Sequence, residues 1–332
     1  MSEIKWSLKT QRGVSLIELM VALVIGLFLI FGAVTIYQQS RATFRTTEAV
    51  ARLQEVARLA FDVLEADMRM ASYWGLNNRA EFIVNRALLN QPLSLSELQS
   101  LRLEDSIGDC VGDNSWVVEL DRYIGGSNNG YDLACAATGT PSDVSDTLLV
   151  RRAAEAAPAA LDVDRIYLQT SRVQGTLFVP GCTNPKLAAC IPSDYLPPAS
   201  ESRALVVNAY YVTTGSTLRA DVPSLRRKSL GTGPAMGDEE IVQGVEDIQI
   251  QFGIDTNGDA SVDAYVNPGD ALLDDNDVIS ATIWLRIRAE DRDFGHVDGN
   301  TYQYADTVVA PLNDNYRRIV VSKTIQLRNT RS

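Results

Sequence analysis

The chain begins with a polar, basic segment that gives way to a long apolar run. Residues 1–13 contain three basic side chains and one acidic side chain, and the apolar run extends from Val14 to Tyr37. As a helix rising about 1.5 Å per residue, this run would reach about 36 Å, enough to cross a bilayer core of about 30 Å. The basic flank predicts that residues 1–13 lie in the cytoplasm and the rest of the chain outside it.

From Gln38 to about Ser72 the pattern becomes amphipathic. Apolar side chains recur at intervals of three and four, at Val50, Leu53, Ala57, Ala60, Phe61, Leu64, Met68 and Ala71. This period predicts that the same helix continues and buries one face against a globular head. An amphipathic core helix of any function would show the same stripe, so the stripe predicts packing and does not indicate a function.

Beyond Tyr73 the pattern changes to short apolar segments separated by Pro, Gly, Asn and Asp, which is typical of strands and turns. The candidate strands are 146–152, 165–170, 204–213, 217–222, 241–253, 278–288 and 317–327. Ile283 and Ile287 alternate with Arg286 and Arg288, as in a half-buried strand. The prediction is an α+β fold in which the carboxyl half of the long helix packs on an antiparallel sheet.

Composition narrows the possible functions. The 332 residues carry a formal net charge of −12, with 42 acidic and 30 basic side chains. Binding to duplex nucleic acid requires concentrated Lys and Arg, so nucleic acid is not expected as a partner. A single histidine, His296, leaves little for general-base or zinc chemistry. We therefore expect no enzyme activity and place His296 in a loop.

The junction between the basic segment and the apolar run resembles a known processing signal. Arg12-Gly13 followed by Val14-Ser15-Leu16-Ile17-Glu18 is similar to the class III signal of type IV prepilins and type II secretion pseudopilins. The resemblance implies that a prepilin peptidase cleaves between Gly13 and Val14 and that Val14 is then N-methylated. Val14 is a departure, because the first mature residue in this family is usually Phe or Met.

The resemblance also implies a role in filament assembly for Glu18, the fifth residue of the mature chain. A carboxylate in an apolar span is costly, about 2.5–3.5 kcal/mol for Asp near the centre of a helix, so it usually has a partner or a function. Pairing with the amino terminus of a neighbouring subunit would compensate two desolvated charges together. A plain signal anchor would explain the rest of the segment but not Glu18.

Three carboxyl-terminal blocks, 245–255, 279–288 and 317–329, resemble the PilW family of minor type IV pilins. The resemblance implies a pilin-like fold with four parts. These are a cleaved leader at 1–13, a transmembrane or filament-core helix at 14–37, the amphipathic half of that helix at 38–72, and a globular head at 73–332.

The family further implies a low-abundance subunit that is held in the inner membrane with its head in the periplasm and then becomes extracellular in the pilus. It would help to prime pilus assembly and sit in a tip complex. The implied partners are other minor and major pilins through the amino-terminal helix, the prepilin peptidase, the inner-membrane assembly platform and a large tip adhesin. Two alternatives remain open: a minor pseudopilin of type II secretion, and a membrane-tethered adhesin or binding module.

Four cysteines lie in the exported part, at Cys110, Cys135, Cys182 and Cys190. An even count in an oxidising compartment favours disulfides, and the sequence allows three pairings. Pairing Cys110 with Cys135 and Cys182 with Cys190 is favoured, because each pair brackets a loop rich in Gly, Asn or Pro. Zinc binding is disfavoured, since no CxxC spacing occurs.

An acidic loop provides the one metal candidate. Oxygen-bearing side chains occupy alternate positions at Asp255, Asn257, Asp259, Ser261 and Asp263, as at the start of a calcium-binding loop. The sequence then differs from a complete calcium-binding loop, because Ala260 stands where Gly is expected and Val266 where a bidentate Glu is expected. Two interpretations stay open: a structural calcium site, or an Asp/Asn/Gly turn that requires no metal. No other cofactor is expected.

Overall fold

The computed structural model describes residues 15–77, 116–172 and 200–330 apart from 134, 164 and 232–235, together with residues 13, 80, 83–84, 175–178 and 180. The described chain forms two compact units that divide between Ala51 and Arg52, and helix α1, Leu16–Arg69, contributes to both. The helix ends three residues before the predicted Ser72, which adopts the left-handed conformation with φ of 62°. Beyond it, the side-chain amide of Asn329 donates to the carbonyl oxygens of Arg69 and Ala71 and so satisfies exposed acceptors at the helix end.

The predicted apolar stripe of the helix is confirmed. Seven of its eight members are buried, from Leu53 to Ala71, and Val50 is half-buried. Burial within α1 begins at Leu53, whereas the amphipathic sequence pattern begins near Gln38. The sequence therefore changes character before the helix begins to pack within its own chain.

The head contains fourteen strands and two short helical segments among the described residues. The strands are β1 (Ile83–Val84), β2 (Ile124–Ser127), β3 (Thr147–Ala153), β4 (Tyr167–Ser171), β5 (Gly175–Phe178), β6 (Ser200–Thr213), β7 (Ser224–Leu230), β8 (Met236–Gln243), β9 (Val245–Asp255), β10 (Ala264–Val266), β11 (Asp277–Arg288), β12 (Tyr302–Tyr304), β13 (Thr307–Val309) and β14 (Arg318–Gln326). A 3-10 turn occupies Trp116–Val118, and a one-turn helix, α2, occupies Leu272–Asp275.

These strands form two main sheets and a small hairpin. The larger sheet has eight strands in the order β1-β5-β4-β6-β3-β2, with β7 paired to β6 and β8 paired to β7. The smaller sheet has four strands in the order β10-β9-β11-β14, and β12 pairs with β13 alone. All described pairings are antiparallel except that of β1 with β5. The predicted α+β class and the antiparallel sheet on the carboxyl half of the helix are confirmed.

The long strand β6 separates two cores. Tyr210 and Val212 face a core that contains the α1 stripe and the inward side chains of β9 and β11. Leu205, Val207 and Ala209, with the opposite parity, face a second core around two buried tryptophans. This division follows the two-residue period of a strand. The carboxyl half of α1 is thus enclosed by residues from both main sheets.

Two of the predicted strand assignments were wrong. Residues 217–222 form a turn rather than a strand. The Ser216 hydroxyl accepts hydrogen bonds from the N–H groups of Leu218 and Arg219. The N–H of Val222 donates to the Arg219 carbonyl. The adjoining strand β7, at Ser224–Leu230, was missed.

The predicted strand 241–253 is in fact two strands that belong to different sheets. The two strands are separated by Gly244, whose φ is +93°. The N–H of Gly244 donates to the Pro223 carbonyl, and the carbonyl of Gly244 accepts the Arg288 N–H. A Cβ at this position would lie 3.1 Å from the Arg288 carbonyl oxygen. Glycine is therefore suited to the point where the chain leaves β8 and enters β9.

A buried carboxylate joins α1 to the larger sheet. Asp67 is 4% exposed. Its Oδ1 accepts from Arg152 Nε at 2.6 Å, and its Oδ2 accepts from Asn208 Nδ2 at 2.7 Å and Tyr210 Oη at 3.1 Å. Three donors from β3 and β6 thus compensate the desolvation of this charge. A second link reaches the smaller sheet, where Lys323 of β14 donates to Glu65.

Replacing Asp67 with Ala should strongly destabilise the head, by about 3–5 kcal/mol, because Arg152 and two buried polar groups would lose their acceptor. The measurement is denaturant unfolding of the full chain in detergent, followed by tryptophan fluorescence. Asp62→Ala is the matched control on the same helix, since Asp62 is 61% exposed and pairs at 3.7 Å with an exposed Arg58. It should change the free energy of unfolding by less than about 1 kcal/mol. Equal effects of the two substitutions would contradict the role given to Asp67.

Candidate functional site

The amino-terminal part of α1 is an exposed apolar surface that contains one carboxylate, Glu18. Large apolar side chains between Leu16 and Tyr37 are 48–80% exposed. Within the described chain, α1 is the helix that is long and apolar enough to cross a membrane, with a window of mean hydropathy 2.8 of which 0% is buried. Exposed apolar surfaces of this extent are typical of contact with lipid or with other proteins.

The start of the helix is fixed by a capping arrangement that the sequence analysis missed. The Ser15 hydroxyl accepts the backbone N–H of Glu18 at 3.3 Å, and the Ser15 carbonyl accepts the N–H of Leu19 at 3.1 Å. The spacing Ser-x-x-Glu is that of a capping box, which could have been recognised from the sequence. The cap places the Glu18 carboxylate in the first turn, where the helix dipole favours a negative charge.

Glu18 is exposed within this apolar surface, and the helix offers no cation near it. Along the described helix the first basic residue is Arg41, 23 positions further on, which corresponds to about 35 Å. An ion pair on the same helix needs a spacing of three or four residues. The described helix therefore provides no ion-pair partner for this carboxylate.

Gly13 precedes the cap, and its surroundings bear on the predicted cleavage. A Cβ built on Gly13 would meet nothing within 4 Å, and its φ is not in the region that favours glycine. Among the described residues, no contact and no backbone conformation requires glycine at this position. Val14 lies outside the described residues, and cleavage between the two remains a prediction.

The predicted disulfides fall mostly outside the described residues. Cys135 is 5% exposed and disulfide-bonded. Cys110, Cys182 and Cys190 are not described. The two pairings favoured from the sequence stay predictions.

The calcium candidate lies in the turn between β9 and β10. The Asp255 carboxylate accepts three backbone N–H groups, from Asn257 at 3.1 Å, Gly258 at 2.7 Å and Ala260 at 2.6 Å. Asp263 accepts from the backbone N–H of Thr256 at 2.8 Å.

The Asp259 carboxylate also accepts hydrogen bonds from within the same turn. The hydroxyl and backbone N–H of Ser261 hold the pKa of Asp259 below its ordinary value. Among the described residues, no group of three or more His, Cys, Asp or Glu side chains is arranged to hold a metal. Hydrogen bonds within the turn account for these side chains, and the calcium site stays a prediction.

His296 lies in the loop after β11, as predicted. Its backbone N–H donates to the Asp293 carbonyl at 2.8 Å, and its carbonyl accepts from the Asn315 side chain at 2.7 Å. Both hydrogen bonds involve main-chain atoms of His296 and hold this residue in the loop.

Comparison with known families gives two matches. Residues 209–329 match the family described as Type IV Pilus-assembly protein W, and residues 8–34 match the Prokaryotic N-terminal methylation motif. A solved structure of a type IV-like pilin from Thermus thermophilus matches at 12% identity with a TM-score of 0.29, over 58% of this chain and 83% of that chain. No curated protein matches.

The capped apolar helix, its methylation motif and the antiparallel head define a type IV pilin-like protein. Within that class the chain is PilW-like, because the PilW match begins in β6 and runs through β14 to Asn329. The three sequence blocks that carried the predicted resemblance lie inside this match. The methylation motif and the apolar helix together indicate anchoring in a membrane.

Replacing Gly13 with Glu should block removal of the leader. Mass spectrometry of the purified protein should then show residues 1–13 retained and Val14 unmethylated. Gly26→Ala is the control, because a Cβ at Gly26 also meets nothing within 4 Å and Ala favours the helix. Normal cleavage of the Gly13 variant would refute processing at this site.

A structural calcium ion in the Asp255–Asp263 turn should make thermal stability depend on calcium. Chelation would then lower the melting temperature and added calcium would restore it, since a ligand at 100 times its Kd stabilises by about 2.7 kcal/mol. Asp259→Asn should abolish the response, because it removes one carboxylate from the set. An unchanged melting temperature on chelation would leave the metal-free turn as the interpretation.

Proposed function

We propose that this protein is a minor type IV pilin that helps to prime pilus assembly and sits in the complex at the pilus tip. Its proposed partners are other minor and major pilins, the prepilin peptidase, the inner-membrane assembly platform and a large tip adhesin. The observation that carries the proposal is the capped, exposed apolar half of α1, whose first turn carries a carboxylate with no ion-pair partner among the described residues. The PilW match to the carboxyl-terminal part of the head supports the choice of a minor pilin.

The exposed half of α1 suits two successive environments. Before assembly, lipid would cover the apolar side chains between Leu16 and Tyr37, and the head would lie in the periplasm. After assembly, helices of neighbouring subunits would cover the same side chains. Neither step requires the head to refold, because burial of α1 within its own chain begins only at Leu53.

Glu18 would supply the specific contact between subunits when neighbouring helices replace lipid around α1. Cleavage after Gly13 would create a cationic amino terminus at Val14 on every subunit. The Glu18 carboxylate of one subunit could then pair with the amino terminus of the next, and each would satisfy a charge that is costly in an apolar environment. The apolar surface alone would allow many helix registers, whereas a single buried ion pair favours one.

Glu18→Ala should leave the protein in the membrane and strongly reduce its entry into pili. Membrane retention is expected because the apolar run becomes longer, and the cap is expected to persist because it uses the Glu18 backbone N–H. We expect the amount of the variant in sheared pili to fall at least about tenfold, since an unpaired buried charge typically costs several kcal/mol. Immunoblots of membrane and pilus fractions provide the measurement.

Glu55→Ala is the matched control for this experiment. Glu55 is an exposed glutamate on the same helix, 37 positions further on. Its removal should leave both fractions unchanged. If the Glu18 variant enters pili as well as this control, the proposed assembly contact is wrong.

A further inference from the structure

Two exposed arginines follow the apolar surface of α1. Arg41 and Arg45 are four residues apart, which places them on the same face of the helix. Neither side chain forms an ion pair or a hydrogen bond with another described residue. Arg41 has no acidic side chain within four positions, and Arg45 has one, Glu48, three positions further on. A basic residue that precedes the acidic one is the weaker order for a helical ion pair.

The hydroxyl groups around these arginines are satisfied by the helix itself. Thr43, Thr46 and Thr47 each donate from the side chain to the carbonyl oxygen four residues earlier, at 3.0–3.1 Å. Threonines bonded in this way tolerate surroundings that contain little water. The two guanidinium groups are therefore the charges that the described helix leaves uncompensated in this segment.

The apolar run fixes where Arg41 lies relative to a bilayer. The 18 residues from Leu19 to Ile36 contain no ionisable side chain. As a helix they span about 27 Å, close to a hydrocarbon thickness of about 30 Å. With the middle of this run at the bilayer centre, the Cα of Arg41 lies about 20 Å from the centre. The headgroup layer extends from about 15 Å to about 20–22 Å from the centre, so Arg41 lies within it.

Arg45 reaches the same layer through its long side chain. Its Cα lies one turn further out, about 26 Å from the bilayer centre. Side chains of an α-helix lean toward its amino terminus, which for Arg45 is the direction of the bilayer. Arginine can also keep its charge at the interface while its stem follows the helix. Arg58, 13 positions beyond Arg45, lies about 20 Å further out and is beyond this reach.

Aromatic side chains flank the first arginine. Tyr37 and Phe44 are 66% and 69% exposed. Together with Ser40 and Arg41 they line a shallow depression on the helix surface. Tyrosine is enriched at membrane–water interfaces, because its ring is apolar and its hydroxyl is polar. The depression therefore combines an interfacial ring, a hydroxyl and a cation, which suits the boundary between acyl chains and headgroups.

Charge and geometry select the ligand at this depth. A guanidinium group binds phosphate through two parallel N–H groups, and phospholipid headgroups supply phosphate in this layer. Cations beside a membrane span are usually concentrated on its cytoplasmic side, so two arginines on the opposite flank call for a specific contact. We propose that Arg41 and Arg45 bind the phosphate groups of anionic phospholipids in the leaflet on the head side of the membrane.

This proposal rests on the membrane-anchored stage of the proposed function and adds a lipid contact to it. The contact holds α1 at a fixed depth before assembly, because a cation pair in the headgroup layer resists movement into the hydrocarbon.

The test is native mass spectrometry of the full chain in a non-ionic detergent. The probes are phosphatidylglycerol and phosphatidylcholine with the same acyl chains, each added singly. Phosphatidylglycerol should bind at least about tenfold more tightly, because two arginines each favour an anionic headgroup. Equal binding of the two lipids would overturn the proposal. Displacement of phosphatidylglycerol by equimolar inorganic phosphate would also overturn it, because the arginines would then form a site for a soluble anion.

Variants then locate the contact. Combining Arg41→Gln with Arg45→Gln should weaken phosphatidylglycerol binding at least about tenfold, because two charged donors are lost. Arg58→Gln is the matched control, since this side chain is 84% exposed on the same helix and lies beyond the headgroup layer. Residues 1–13 also carry cations, but these are identical in all variants. A double variant that binds phosphatidylglycerol as tightly as the control would overturn the proposal.

Immunoblots of membrane and pilus fractions separate this proposal from the assembly proposal. The double substitution should leave the head folded, because burial of α1 within its own chain begins at Leu53. Loss of lipid binding supports the lipid contact, whether or not the variant enters pili normally. Unchanged lipid binding with reduced pilus entry would instead show that the arginines contact another subunit. That result would overturn the lipid contact and leave the role proposed for Glu18 untouched.

Discussion

The buried Asp67 carboxylate is the contact on which the arrangement of the head depends. It is the charged residue of α1 that the fold encloses, and its three donors come from β3 and β6 of the larger sheet. Apolar packing of the α1 stripe would tolerate small shifts along the helix axis, whereas a carboxylate held by three directed donors would not. The position of the helix, and with it the enclosure of the core between the two sheets, is therefore fixed by a polar contact within an apolar interface.

Polar contacts of the same kind explain where the sequence failed to predict the fold. Strand β7 reads Ser-Leu-Arg-Arg-Lys-Ser-Leu, which has the local pattern of an exposed segment. In the structure Arg226 and Lys228 are each 5% exposed, because Asp238 of β8 pairs with both, at 2.8 Å and 3.0 Å. A local hydropathy pattern identifies burial by apolar side chains, and it cannot identify burial that depends on a partner from another strand.

The apolar features, by contrast, could be predicted because their signals are local. The α1 stripe follows from a helical period, and strands β3, β6, β11 and β14 follow from apolar runs of the right length. Of the candidate assembly site, Glu18 and Gly13 could be identified from the signal pattern. The residues around Arg151 could not be brought together from the sequence, because Trp116, Arg151 and Asp270 lie far apart along the chain and meet only through the pairing of β2 with β3 and the position of α2.

The two carboxylates of α1 that lie among apolar residues show how one helix serves two kinds of contact. Asp67 is buried and has three donors within its own chain, so its charge is compensated as soon as the head folds. Glu18 stands 49 residues earlier in an exposed apolar surface, and its helix offers it a cap but no cation. A charge compensated within the chain stabilises the fold, whereas a charge left uncompensated in an apolar surface favours whichever second molecule supplies the missing cation. The same helix therefore completes the head through Asp67, and in the proposed assembly Glu18 would direct its association with other subunits.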